Sequence, residues 1–133
     1  MSSIFTKIIN REIPSYKIFE DDLTYAFLDI TPVQLGHTLI IPKVEVDHFL
    51  DLEEPYYSQV FHNAKIIGKA IHQATGSKRV GTIIAGWDVP HFHYHVIPMN
   101  AVQDLDLRNG KKRSEEEMKD IQKKITDIIN QGL

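Results

Sequence analysis

Apolar residues recur along this chain with two distinct periods. Over residues 53–75 they fall at Val60, Ala64, Ile67, Ile71 and Ala74, spacings of three and four that predict a long amphipathic helix. Pro55 suits its first turn, where a missing N–H costs nothing, and Gly76 suits its end. A second stripe, Met118, Ile121, Ile125 and Ile128, predicts a helix over 114–131, opened by a capping box of Ser114 and Glu117. Phe5, Ile8 and Ile9 predict one short helical turn over 5–10, ended before Pro14. Elsewhere the apolar runs are short and punctuated, predicting strands over 15–20, 24–28, 37–41, 80–85 and 91–97. Asp21-Asp22 reads as a tight turn, and Asp29-Ile30-Thr31-Pro32 as a break. The unbroken Leu39-Ile40-Ile41 implies a strand buried on both faces. Residues 101–113 read as a polar loop with a turn at Asn109-Gly110.

The links between strands are too short for repeated parallel crossovers. The order therefore predicts an α+β domain: an antiparallel sheet of about five strands, one long central helix and a C-terminal helix, with the helices on one face. The 133 residues fit a single domain over 1–133. Lys and Arg number 15 against 18 Asp and Glu, a net charge of −3, which argues against non-specific nucleic-acid binding. Lys111-Lys112-Arg113, the one basic cluster, reads as a solvated loop. The absence of cysteine excludes disulfides, thiolate metal sites and a cysteine nucleophile. No run approaches the roughly 18 apolar residues of a membrane span, and no apolar core follows a basic start. Neither a membrane partner nor a leader peptide is expected, and the expected compartment is the cytoplasm.

The candidate chemistry lies in His91-Phe92-His93-Tyr94-His95-Val96-Ile97-Pro98. Alternate residues of a strand share a face, so His91, His93 and His95 project together, about 6.5–7 Å apart, while Phe92, Tyr94 and Val96 face the other side. Three readings stand side by side. The row is a polar strand face or an adventitious metal-binding row. It is a zinc or iron site, although its outer pair lies about 13 Å apart before the side chains bend. Or it transfers phosphoryl or nucleotidyl groups: imidazole, with an ordinary pKa of about 6.5, is largely unprotonated at neutral pH and attacks phosphorus, while its neighbours hydrogen-bond the phosphate oxygens. Read from the residues alone, Phe5, Ile8 and Phe27 are core, Asp29 fits a turn cap as readily as a ligand, and His48, His62 and His72 are surface or packing positions.

The row resembles the signature of the histidine triad (HIT) superfamily, His-x-His-x-His followed by apolar residues. Three further blocks share the resemblance: Ile4-Phe5-Thr6-Lys7-Ile8-Ile9-Asn10-Arg11-Glu12-Ile13-Pro14, Phe27-Leu28-Asp29-Ile30 and Gly36-His37-Thr38-Leu39-Ile40-Ile41-Pro42-Lys43. It covers about residues 3–98 in order, looks most like a HINT-like bacterial branch, and leaves 99–133 as a divergent loop plus C-terminal helix. The resemblance implies a HIT-like fold, a homodimer whose subunits join their sheets, no cofactor, and a purine nucleotide or nucleotide conjugate as ligand. It implies a nucleotide hydrolase or phosphoramidase that cleaves a nucleoside α-phosphate from its leaving group through a nucleotidyl-histidine. His93 matches the nucleophile. His91 and His95 match the flanking positions that contact phosphate or orient the nucleophile, and His37 matches a further histidine behind the site. Asp29 matches the acid on the ribose hydroxyls; Ile4, Phe5, Ile8, Phe27 and Ile30 match the apolar base slot. Zinc-bearing bacterial members use cysteines, so no metal is expected here.

One stretch, Gly86-Trp87-Asp88-Val89-Pro90, departs from the family's glycine, glutamine and small polar residue. Trp87 stands at the glutamine position and can stack on a substrate group, but lacks the two-way amide contacts. A carboxylate at Asp88 about 5 Å from a bound phosphate costs about 3 kcal/mol at an effective dielectric of about 20, unless it pairs with a protonated His91 or His95 or points away. Two other functions therefore stand beside the enzyme: a module that binds a purine nucleoside monophosphate with little catalysis, and a His-ligated metal protein. Residues 101–113 are expected to form a substrate-side lid.

Overall fold

The computed structural model describes residues 2–132; Met1 and Leu133, the ends of the predicted 1–133 domain, lie outside the described residues. The element order is α1 (Ile4–Ile9), β1 (Lys17–Glu20), β2 (Thr24–Leu28), β3 (Thr38–Pro42), a 3-10 turn (Phe49–Asp51), α2 (Tyr56–Thr75), β4 (Arg79–Ile83), β5 (Tyr94–Met99), two more 3-10 turns (Val102–Leu105 and Leu107–Asn109) and α3 (Glu115–Asn130). All five strands pair antiparallel in the order β1-β2-β3-β5-β4. This is the α+β architecture that the sequence predicts, except that the helices are not all on one face: α1 lies on the side of the sheet opposite α2 and α3.

Alternation along the strands divides the core between the two faces of the sheet. Ala26, Leu28, Ile40 and Val96 pack against Val60, Ile67 and Ile71 of α2 and against Met118, Ile121 and Ile125 of α3. Tyr25, Phe27, Leu39 and Ile41 turn the other way and pack against Phe5 and Ile8 of α1. With both faces covered, every residue of β2 and β3 is buried. Each such Ile or Leu contributes about 1.5–3 kcal/mol relative to leaving it in water. The helix-covered face is therefore the structural core, and α1 covers only part of the opposite face.

Several boundaries move for identifiable reasons. Helix α2 begins at Tyr56 and not at 53, because Pro55 occupies its N-cap and the residue before a proline is disfavoured in helical geometry. Glu54 instead uses its carboxylate to accept the Ser58 amide (2.7 Å). Gly76 ends α2 with φ 66°, the left-handed cap its position predicts. Strand β5 begins at Tyr94 and not at 91. The amides before it are taken by other main-chain partners and leave the ladder: His91 N–H donates to Val89 C=O (2.8 Å) and Phe92 N–H to Val46 C=O (2.6 Å). Residues 101–113 are not a plain polar loop, since they form the two 3-10 turns. The segment docks on the turn after β2, with Lys111 N–H donating to Pro32 C=O (3.1 Å). Gly110 permits that approach, because a Cβ there would lie 2.4 Å from the Thr31 carbonyl oxygen.

Candidate active site

A row of paired residues crosses the sheet on the α1 face: Phe27 opposite Leu39, Leu39 opposite His95, and His95 opposite Ile83. Phe27, Leu39 and His95 of this row line a cavity of about 450 Å³, within the usual size of a small-molecule site. Ile4, Phe5 and Ile8 of α1 wall one side, and Asp29, Ile30 and Thr31 of the turn after β2 another. His37, His93 and His95 line it, as do Trp87 and Asp88. Leu107 of the third 3-10 turn also reaches it, so the 101–113 segment does approach the site. Its other lining residues that the sequence reading did not single out include Leu39 and Val89.

Every side chain singled out as a candidate reaches this cavity except His91. The expected face alternation holds where it matters: Phe92 and Val96 are in the helix-side core with Tyr94 against it, while His93 and His95 face the cavity. The three rings do not form one equivalent row, however. His91 lies before the strand and is fully buried.

Hydrogen-bond partners fix which nitrogen of each ring is available. A carbonyl can only accept, so His93, whose Nδ1 lies 2.8 Å from His91 C=O, carries its proton there and keeps its Nε2 lone pair. Phe5 packs edge-on against this ring, with centroids 5.0 Å apart at 78°. A backbone amide can only donate, so Val33 N–H (3.2 Å) makes His37 Nδ1 an acceptor and puts the proton of neutral His37 on Nε2. That proton is donated to His95 Nδ1 (2.9 Å), which leaves His95 Nε2–H as a donor. The chain Val33, His37, His95 thus prepares a neutral N–H beside the free lone pair of His93, their ring centroids 5.1 Å apart.

Burial keeps this relay uncharged. It pulls His37 down to about 4 against the opposing pull of Asp29. It pulls His95 down to about 3, helped by the neighbouring His37 and His93. Burial likewise lowers His91, against its bond to Pro42 and the charge of Glu45. Asp29 closes its own turn, accepting the Thr31 amide (2.9 Å) and hydroxyl (3.2 Å) on one oxygen. Its other oxygen lies 3.6 Å from His37 Nε2. The carboxylate therefore caps the turn and faces the cavity at once, which joins the two readings of this residue. Trp87 is 91% exposed at the rim, and no Lys or Arg lines the cavity among the described residues.

Asp29, His37 and His95 bring potential metal-binding atoms within 4.8 Å of one another. Their hydrogen bonds do not suit an ion. With Val33 N–H on Nδ1, ligation through His37 Nε2 would require an imidazolate or a turned ring.

His91 has every polar group engaged, through residues the sequence did not single out. Its Nε2–H donates to Pro42 C=O (2.9 Å), and Ser3 Oγ–H donates to its Nδ1 (2.8 Å). Ser3 is also the N-cap of α1, a role that a serine before an apolar helical turn can signal. Its link to His91 has no sequence signal.

Comparison with known proteins agrees with this geometry. The profile of the HIT domain family matches residues 10–102. An uncharacterised HIT-like protein of Borreliella burgdorferi is 40% identical over 116 residues, covering 82% of this chain and 84% of that protein. The adenosine 5'-monophosphoramidase HNT1 of Saccharomyces cerevisiae is 41% identical over 96 residues, covering 71% of this chain and 61% of that protein. Among solved structures, a Hit-like protein of Bartonella henselae superposes with a TM-score of 0.84 at 31% identity, covering 96% of each chain.

Proposed function

This chain belongs to the HIT domain family, and from that premise we propose that it is a nucleotidyl phosphoramidase, cleaving a purine nucleoside α-phosphate from an amine leaving group. The observation that carries the proposal is the setting of His93: the ring lines the cavity, and with Nδ1–H held by the His91 carbonyl, Nε2 is its nitrogen without a protein partner. Nε2 attacks the α-phosphorus and forms the P–N bond of a nucleotidyl-histidine. The bond from phosphorus to the leaving amine breaks, and that amine takes a proton from solvent. Water then attacks phosphorus, the P–Nε2 bond breaks, the monophosphate keeps the hydroxyl, and the remaining proton returns to solvent. The positive charge on the intermediate's ring is met by the His91 carbonyl, while His95 Nε2–H is directed to a phosphate oxygen. The ribose hydroxyls lie at Asp29, and the base lies among Ile4, Phe5, Ile8, Phe27 and Ile30.

The proposal extends to a cytoplasmic homodimer of single-domain subunits over 1–133. The free edge of β4, the last strand of the sheet, is the place where two sheets would join. Light scattering on the purified protein tests the dimer.

The position of Trp87 and Asp88 in the cavity wall favours a second reading, a module that holds a nucleoside monophosphate without useful turnover. A fluorogenic adenosine phosphoramidate assay beside AMP calorimetry separates the two. Turnover by the natural chain and none by folded His93→Asn supports the enzyme. AMP binding without turnover of any conjugate supports the module. Equal turnover by both proteins would overturn the mechanism.

A further inference from the structure

We infer that Ser3 and Glu45 are positioning residues for His93, acting through His91. The inference rests on the reading of His93 as nucleophile and adds a hydrogen-bonded latch remote from the cavity lining. Ser3 Oγ accepts the Thr6 amide (3.1 Å) and sends its single proton to His91 Nδ1 (2.8 Å). The Glu45 carboxylate accepts from the Ser3 amide (2.5 Å) and from the Thr6 hydroxyl (2.8 Å). Glu45 thus ties the N-terminus of α1 to the segment after β3, and Ser3 passes that anchorage to His91.

At His91 the latch meets two more fixed points. Nε2–H is on Pro42 C=O (2.9 Å), and the backbone N–H is on Val89 C=O (2.8 Å). With ring and amide both held, the His91 carbonyl has one direction, and it is the acceptor for His93 Nδ1–H (2.8 Å). That bond selects the tautomer whose Nε2 is free and sets the ring's tilt toward the cavity. Ser3 is 8% exposed and His91 fully buried, so water does not readily replace a lost partner. Helix α1 also supplies Phe5, whose ring rests on both His91 (5.8 Å) and His93 (5.0 Å). The same latch therefore holds the base slot and the nucleophile in one register.

The test compares Ser3→Ala, Ser3→Thr, Glu45→Ala and Glu45→Gln by imidazole ¹⁵N shifts of His93 and by kcat on an adenosine phosphoramidate. Thr keeps a hydroxyl that caps and donates, and Gln keeps an oxygen that accepts both bonds. Ser3→Ala and Glu45→Ala are expected to mix the two His93 tautomers and to lower kcat by about tenfold, the scale of a sub-ångström misplacement. Ser3→Thr and Glu45→Gln are expected to restore both readouts. Circular dichroism identifies folded variants, and Glu45→Ala leaves the Ser3 cap intact should Ser3→Ala unfold. Folded Ala variants with the natural tautomer and kcat would overturn the inference, as would failure of Ser3→Thr to restore what Ser3→Ala loses. If the natural chain turns over no conjugate, the phosphoramidase reading fails by itself, and the ¹⁵N shifts still decide the latch.

Discussion

Lowering the pH from about 7.5 to about 5 is expected to destabilise this protein by about 4 kcal/mol through His37 and His95 alone. Burial holds these rings at about 4 and about 3 in the folded chain, and both are nearly inaccessible to solvent. In the unfolded chain each returns to about 6.5. Between those limits the unfolded chain binds protons that the folded chain refuses, so stability is full above the unfolded value. It falls as the pH drops through about 6.5, and continues to fall until the folded values are reached. Integrating proton uptake between about pH 7.5 and 5 gives about 2 kcal/mol for each ring. The pair is a large share of the roughly 5–15 kcal/mol that holds an ordinary domain together. Carboxylates add little in this window, since they titrate near 4 when unfolded. His91 is lowered by the same cause and adds in the same direction. Urea unfolding followed by far-ultraviolet circular dichroism measures the effect. Trp87 fluorescence would not serve, because that side chain is already 91% exposed in the folded state. The His37→Asn, His95→Asn double variant is expected to lose most of the pH slope whatever its absolute stability. A natural chain that loses less than about 1 kcal/mol across this interval would refute the claim that the relay is buried and neutral, as would a double variant with an unchanged slope.

Asp88 is exposed, so solvent screening cuts the cost expected of a carboxylate beside the phosphate, and Asp88→Asn is expected to tighten AMP binding only several-fold at low salt, with the gain shrinking as salt is raised. Unchanged affinity by calorimetry would mean that this carboxylate points away from the phosphate. Gly110→Ala forces a Cβ to within 2.4 Å of the Thr31 carbonyl, so it is expected to cost about 1–3 kcal/mol and to weaken AMP binding by shifting the turn that carries Asp29. A thermal midpoint equal to that of the natural chain would contradict this. Ile67→Ala, on the fully buried face of α2, is expected to cost about 2–5 kcal/mol while leaving AMP affinity intact; loss of affinity would show that the helix-side core and the site are not independent.

The parts of this fold that were legible in sequence are those closed by near neighbours. In α3, Ser114 Oγ accepts the Glu117 amide (3.0 Å) and Glu117 accepts the Ser114 amide (3.1 Å). Two residues three apart therefore mark the helix start without help from the rest of the chain. Strand β5 shows where such local inference stops. Alternation assigns Phe92 and Val96 to the core and His93 and His95 to the cavity, because pleating is a property of the strand itself. The point at which the strand begins depends on main chain far away in sequence, because the Phe92 amide is taken by the Val46 carbonyl (2.6 Å).

The site divides along the same line. The HIT resemblance collected the cavity's histidines, its acid and its apolar wall, since these are side chains with a spacing. It assigned a role to each histidine but not the protonation pattern that suits the role: Nε2 is left free on both His93 and His95, as an acceptor on one and a donor on the other, while both ring nitrogens of His91 and of His37 are engaged. His95 has its Nδ1 occupied by a residue 58 positions away, and His91 by one 88 positions away. His93 is set by the His91 carbonyl and His37 by the Val33 amide. Those two controlling groups are backbone atoms: every residue supplies the carbonyl, and every residue except proline the amide. A motif can therefore specify which rings meet, while the proton on each ring depends on where the main chain runs beside it. Exchanging Val33 for another apolar residue leaves the amide in place and is expected to preserve the tautomer of His37; Val33→Pro removes the donor. If the ¹⁵N shifts of His37 and His95 stay unchanged in a folded Val33→Pro chain, the backbone does not set the relay, and the assignment of His95 Nε2–H as the phosphate donor falls with it.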